Sequence, residues 1–164
     1  QHEKGKPMKT LTTMLSATAL AVPLLAGTPA FANDAGTIRH LMMAQFDTSE
    51  SRLTVEPVTV HRNIAVAGWA QGDVGGRALL RRLGSEWRLV LCSGDTLKEA
   101  KLLQQFGLNA EEAERLVNAV VDAETKLDPA LVAKFSTFDG IVMINKGGHH
   151  PPVGGYGHDG KNKS

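Results

Sequence analysis

The chain has 164 residues, with 18 Lys and Arg against 17 Asp and Glu, 42% hydrophobic and 5% aromatic residues. That is room for one core in an ordinary globular protein, not a disordered or fibrous one, and the net charge of +1 offers no basic surface for nucleic acid. A single cysteine, Cys92, excludes an internal disulfide framework and every multi-cysteine zinc motif.

Residues 1–7 precede Met8, the expected start. Met8-Lys9, an apolar run over residues 11–26 and the exit Ala30-Phe31-Ala32 are the parts of a cleavable secretory signal. The run is too short and too rich in Ala and Thr for a membrane anchor, which wants about 20 strongly apolar residues. The expected division is a leader over 1–32 with its signal at 8–32, one domain over 33–145 and a tail over 146–164. In an oxidising compartment Cys92 would lack a partner in its own chain, so it is either buried and inert or a reactive thiol or metal ligand.

Asp34 is placed to cap a helix whose apolar positions Ile38, Leu41, Met42 and Phe46 recur at helical spacing. Strands are then expected over 53–60, interrupted by Pro57, and over 63–71, 77–82 and 87–92. The turns between them carry glycine, including Gly72-Asp-Val-Gly-Gly76, and the pattern reads as an antiparallel meander. Strict alternation would put Trp87, Leu89 and Leu91 on one face of the last strand and Arg88, Val90 and Cys92 on the other. Thr96 with Glu99 predicts a capping box opening a helix that Gly107 stops, and Asn109 with Glu112 predicts a second. Behind the second, Ala113, Leu116, Val117, Val120 and Val121 form a helical stripe. Asp128-Pro129 starts a further helix, and residues 141–144 read as a closing strand.

This order predicts an α+β domain, with helices on one face of a curved antiparallel sheet that wraps a long N-terminal helix, cystatin-like or nuclear-transport-factor-like. Residues 146–164 are Gly, Pro, His and Lys without apolar periodicity, a flexible His/Gly-rich tail.

Three strings carry a resemblance: Gly68-Trp-Ala-Gln-Gly-Asp-Val-Gly-Gly-Arg-Ala-Leu-Leu-Arg81, Trp87-Arg-Leu-Val-Leu-Cys-Ser-Gly-Asp95 and Phe135-Ser-Thr-Phe-Asp-Gly-Ile-Val142. Over residues 38–144 the chain resembles the bacterial proteins labelled copper uptake system-associated. The resemblance implies a small periplasmic protein working beside copper chaperones or a copper transporter, and it brings no ligand set with it.

The candidate ligands come from the residues themselves. His149, His150 and His158 stand with Asp159 within eleven residues of the tail. Imidazole suits Cu(II), Zn and Ni, and Cu(II) leads in affinity. Binding there should fade as the imidazoles protonate below about pH 6.5. A second set is His40 and Met43, three apart on the first helix, because thioether sulfur favours Cu(I). Cys92 is a third, as a Cu(I) ligand or as a nucleophile beside His61 or Asp95. Arg77, Arg81 and Arg82 read as a basic cluster on one hairpin, either a solvated sheet face or a docking patch. Trp69 and Trp87 read as core anchors, and the glycines of 72–76 as hairpin positions, not a phosphate loop.

The leading expectation is a periplasmic accessory of copper uptake that binds copper transiently and docks copper chaperones without catalysing a reaction. One alternative is a small-ligand-binding or enzymatic domain with a cavity between sheet and helices, the tail being incidental. Another is a periplasmic interaction module that handles no metal.

Overall fold

The computed structural model describes residues 30–144. The tail and nearly all of the expected leader lie outside them. Helix α1 (Ala30–Phe46) is followed by four strands, β1 (Leu53–His61), β2 (Ile64–Gln71), β3 (Val74–Leu83) and β4 (Glu86–Ser93). A single 3-10 turn (Asp95–Lys98) leads into α2 (Ala100–Gln104), α3 (Ala110–Glu124), α4 (Pro129–Lys134) and the short β5 (Ile141–Met143). The five strands form one open antiparallel sheet in the order β1-β2-β3-β4-β5, so the chain belongs to the α+β class.

The hairpins are tighter than the glycine clusters suggest. Pairing runs to His61 with Ile64, Gln71 with Val74 and Leu83 with Glu86, which leaves two-residue turns. Their first positions, Arg62, Gly72 and Gly84, all have positive φ, which suits the twist of the flanking strands. Gly75 and Gly76 are therefore strand residues, not turn residues. A Cβ on Gly75 would meet the Trp69 carbonyl oxygen at 2.6 Å and the Lys134 side chain at 3.1 Å. These glycines serve close packing.

Helices cover both faces of the sheet, where the sequence pattern had led to the expectation of one. Ile38 and Met42 of α1 pack with Leu53, Val55, Ala65, Ala67, Trp69, Ala78, Leu80, Trp87 and Cys92. On the opposite face Ile64, Val66, Leu79 and Leu91 pack against Leu102 and Leu103 of α2 and Ala113, Leu116 and Val120 of α3. The cause is visible in β2, an almost unbroken apolar run that is buried from Ile64 to Ala70. A strand apolar on both sides needs cover on both sides.

One extra residue in β4 resets its alternation. Leu79 pairs with Leu91 but Leu80 pairs with Leu89, so β4 bulges at Val90. Trp87, Leu89 and Cys92 consequently face α1, while Val90 and Leu91 face α2 and α3. The bulge brings Cys92 beneath α1, on the opposite face from Val90. A comparable irregularity in β1 between Val55 and Val58, at the cis Glu56–Pro57 bond, keeps both valines towards α1.

Two of the expected caps differ. Asp34 lies inside α1, and its carboxylate accepts from Trp87 Nε1 at 3.0 Å and from Arg82 at 3.1 Å. Thr96 and Glu99 form no capping box. Residues 95–98 wind into the 3-10 turn that buries Leu97, and Glu99, extended at φ −97°, ψ 118°, precedes α2 with no side-chain cap. The other signals hold. Asn109 and Glu112 form the reciprocal box of α3, Asp128 accepts from Ala130 N with Pro129 in the first turn, and Gly107 takes a φ of 100° after α2.

Candidate functional site

Two assemblies of reactive side chains occupy the described residues, one on each face of the sheet. The first is charged. Arg77, at the centre of β3, is fully buried, in contrast to the solvated cluster expected of Arg77, Arg81 and Arg82. Its Nε and an Nη donate to the two Glu124 oxygens at 2.6 and 2.7 Å, a fork-to-fork pair. The other Nη donates to Asp95 Oδ1 at 3.1 Å, and the guanidinium sits 5.5 Å from the Phe135 ring centroid. Phe135 fits because Gly68 lies beneath it: a Cβ there would come within 2.8 Å of the ring.

Glu124 is the last residue of α3, where a negative charge opposes the helix dipole. The buried guanidinium of Arg77 is what makes that position tenable. The Asp95 carboxyl is drawn below its ordinary value, first by the Lys98 ammonium at 2.8 Å and also by the Ser136 hydroxyl and Arg77. Arg82 points to the other face and stacks on Trp87. The three arginines thus form no common patch.

Sequence reasoning missed this cluster, although its signal was present. Glu124 continues the apolar stripe of Ala113, Leu116 and Val120, and Arg77 interrupts the small and apolar run of β3. An acid and a base, each alone on a buried surface, need each other.

Beside Glu124 lies an open groove of about 450 Å³ between the end of α3 and α4, lined chiefly by Val121, Leu127, Pro129 and Val132. It differs in place from the cavity expected between sheet and helices.

The second assembly is sulfur-rich and apolar. Cys92 and Met42 line a small, partly open space under α1 together with Trp69. Burial pushes the Cys92 thiol up to about 12, so at neutral pH it is a thiol and not a nucleophilic thiolate. His61 and Asp95, its suggested partners, are not beside it. Asp95 joins Arg77, and His61 Nε2 stands 3.9 Å from Glu112 of α3, on the far face. The structure therefore assembles no Cys–His dyad.

His40 is exposed on α1, whereas Met43 turns partly into the core. His149, His150 and His158 lie outside the described residues. Among the described residues no group of three or more His, Cys, Asp or Glu side chains is placed to hold a metal ion. No helix among them is long and apolar enough to cross a membrane.

Compared with known proteins, the chain matches no family model, no curated protein and no solved structure.

Proposed function

We propose that this chain is a periplasmic accessory of copper handling, in which the tail histidines take up copper transiently and the folded domain docks a copper chaperone or transporter. The observation that carries the reading is the placement of two features in direct succession. Strand β5 forms a sheet edge with Ile141, Val142 and Met143 all exposed, and the run containing His149, His150 and His158 follows it in the sequence. An exposed apolar edge is a surface that an extended partner segment can pair with. A metal carried beside it would be presented at the partner's contact. The resemblance to copper uptake-associated proteins and the signal-like leader support the same reading. The long α1 laid across one sheet face supports a cystatin-like arrangement for that half of the fold.

Ordering a tail around an ion costs about 1–2 kcal/mol per fixed residue, which favours hand-off over storage. The test is a chelator-competition titration of Cu(II) on the full chain and on its His149→Ala, His150→Ala, His158→Ala variant. Copper binding lost in the variant, and weakened in the parent between pH 7.5 and 5, is the expected outcome. Equal affinity in both chains counts against the tail as the ligand.

A second reading draws on the groove beside Glu124. Its volume and mostly apolar lining suit a small ligand, with the tail incidental. A small molecule that raises the melting temperature of the parent but not of a Val132→Arg variant would favour it. An interaction module without metal is the third reading, supported by the β5 edge alone.

A further inference from the structure

The sheet has two edges, and they differ in how they meet solvent. β1 carries Glu56 and Pro57, which lacks an N–H, and its pairing is irregular between Val55 and Val58. Arg39 of α1 takes a further group of that strand, its Nε donating to the Val55 carbonyl at 2.9 Å. β5, at the other edge, carries none of these devices. It reads Ile141-Val142-Met143, without charge or proline, and its side chains are 46, 42 and 53% exposed. Val142 stands beside Cys92 on the α1 face, and Ile141 and Met143 stand beside Ser93 and Leu91 on the other, so both sides of β5 are open to solvent.

The edge is also held in place. Ser93 Oγ donates to the Gly140 carbonyl and Ile144 N to the Val90 carbonyl, both at 2.8 Å, which fastens β5 to β4 just beyond each of its ends. The Ile144 N–H turns inward, so the alternation of an antiparallel ladder turns the N–H and C=O of Val142 inward too and those of Ile141 and Met143 outward. These outward groups are self-complementary. In an antiparallel copy centred on Val142, Ile141 meets Met143 of the second copy, and each N–H faces a C=O. Val142 then meets its own counterpart, a β-branched pair at the closer, non-hydrogen-bonded spacing. The flanks choose the direction. Asp139 precedes the strand and Lys146 follows it in the sequence, so antiparallel pairing runs acid towards base, whereas parallel pairing sets like beside like.

We propose that β5 is the interface of a reversible homodimer, in which a second copy adds its own β5 antiparallel about a two-fold axis at Val142 and joins the two sheets into one. A contact of this length lies at the small end of specific interfaces, so the dimer dissociates readily and forms at about 10–100 µM. The docking reading uses the same edge, and a strand from a chaperone would have to displace the second copy. The pairing itself requires no metal and does not depend on the tail histidines.

The experiment is sedimentation velocity of the full chain from about 5 to about 500 µM, with amide hydrogen exchange at both ends of that range. Dimer should become the main species near the top. The amides of Ile141 and Met143 should gain protection there, while that of Val142, bonded to β4 in either state, should not change. Val142→Lys sets like charges face to face on the axis and should weaken the dimer by about tenfold or more, with the fold intact by circular dichroism because the side chain is exposed. Val142→Glu should do the same alone. Mixing the two variants should restore the dimer, because this register sets the two introduced charges opposite each other. Val121→Lys, on the exposed wall of the groove at α3, should leave the dimer as it is. A parent that stays monomeric throughout, a dimer that survives Val142→Lys or is lost in Val121→Lys, or no recovery in the mixture would each overturn the proposal. Should Val142→Lys fail to fold, the exchange of Ile141 and Met143 in the parent decides. Failure of Cu(II) binding at the tail would leave all of these results standing, so this proposal and the copper reading fail separately.

Discussion

The two faces of the sheet solve the same burial problem by different means. Towards α1 the contacts are apolar, sulfur and indole groups, and the polar exchange of Asp34 with Arg82 and Trp87 is confined to the rim. Towards α2 and α3 the apolar core continues into a buried ion pair, Arg77 with Glu124, extended outward to Asp95. The first face tolerates a change of shape at the cost of packing. The second holds two desolvated charges, each of which is tenable only while the other is present. Position on the face, and not burial alone, therefore decides what a substitution costs.

The sharpest way to expose this difference is to remove one charge. Arg77→Ala should destabilise the fold by about 3–5 kcal/mol, because Glu124 is then buried unpaired. Replacing both partners, Arg77→Met with Glu124→Leu, should recover most of that loss and can exceed the parent, since a well-packed apolar pair escapes the desolvation penalty. Urea unfolding of the three variants measures both effects. A double variant no better than Arg77→Ala would mean that the pair does more than neutralise itself.

On the other face the corresponding change is Met42→Ala. It should cost about 2–4 kcal/mol through lost burial and the enlarged space beside Cys92. No second substitution of charge can rescue it, but a benzene-sized apolar solute can, by filling the hole. The same face predicts that Cys92 resists maleimide in the native state at pH 8 and reacts on unfolding, because its thiol is held at about 12.

Smaller effects come from the periphery. Asn109→Ala removes the reciprocal cap of α3 and should cost about 1 kcal/mol. Asp95 contributes least, since its carboxylate is 58% exposed and its attractions are screened. Its folded-state value lies below that of the unfolded chain, so its contribution is complete above the ordinary carboxylate range and is lost as pH falls through the lowered value. Asp95→Asn should therefore flatten the acid limb of the stability curve below about pH 4 and leave the neutral plateau little changed.

What could be read from the sequence was local. The Asn109–Glu112 box, the Pro129 start, the Gly107 stop, the two tryptophan anchors and the meander each depend on residues a few positions apart, or on burial of a large ring. The errors were all tertiary. Asp34 gave up the expected cap role because Trp87 and Arg82, far along the chain, needed an acceptor. Thr96 lost its box because burying Leu97 tightened the chain into a 3-10 turn. Cys92 moved to the α1 face through a bulge that no alternation rule anticipates. Of the candidate ligands, His40 is on the surface and Cys92 is deep in the core, where Met42 of the α1 apolar stripe is buried as well.

The reading of copper handling depends on where Cu(II) goes first. Adding substoichiometric Cu(II) to the isotope-labelled full chain and recording paramagnetic broadening of its amide signals answers this residue by residue. Broadening centred on residues 146–159 and reaching β5, with α1 and α3 sharp, is the predicted result. Broadening centred on His40 or His61 instead, or none at equimolar Cu(II), would contradict it.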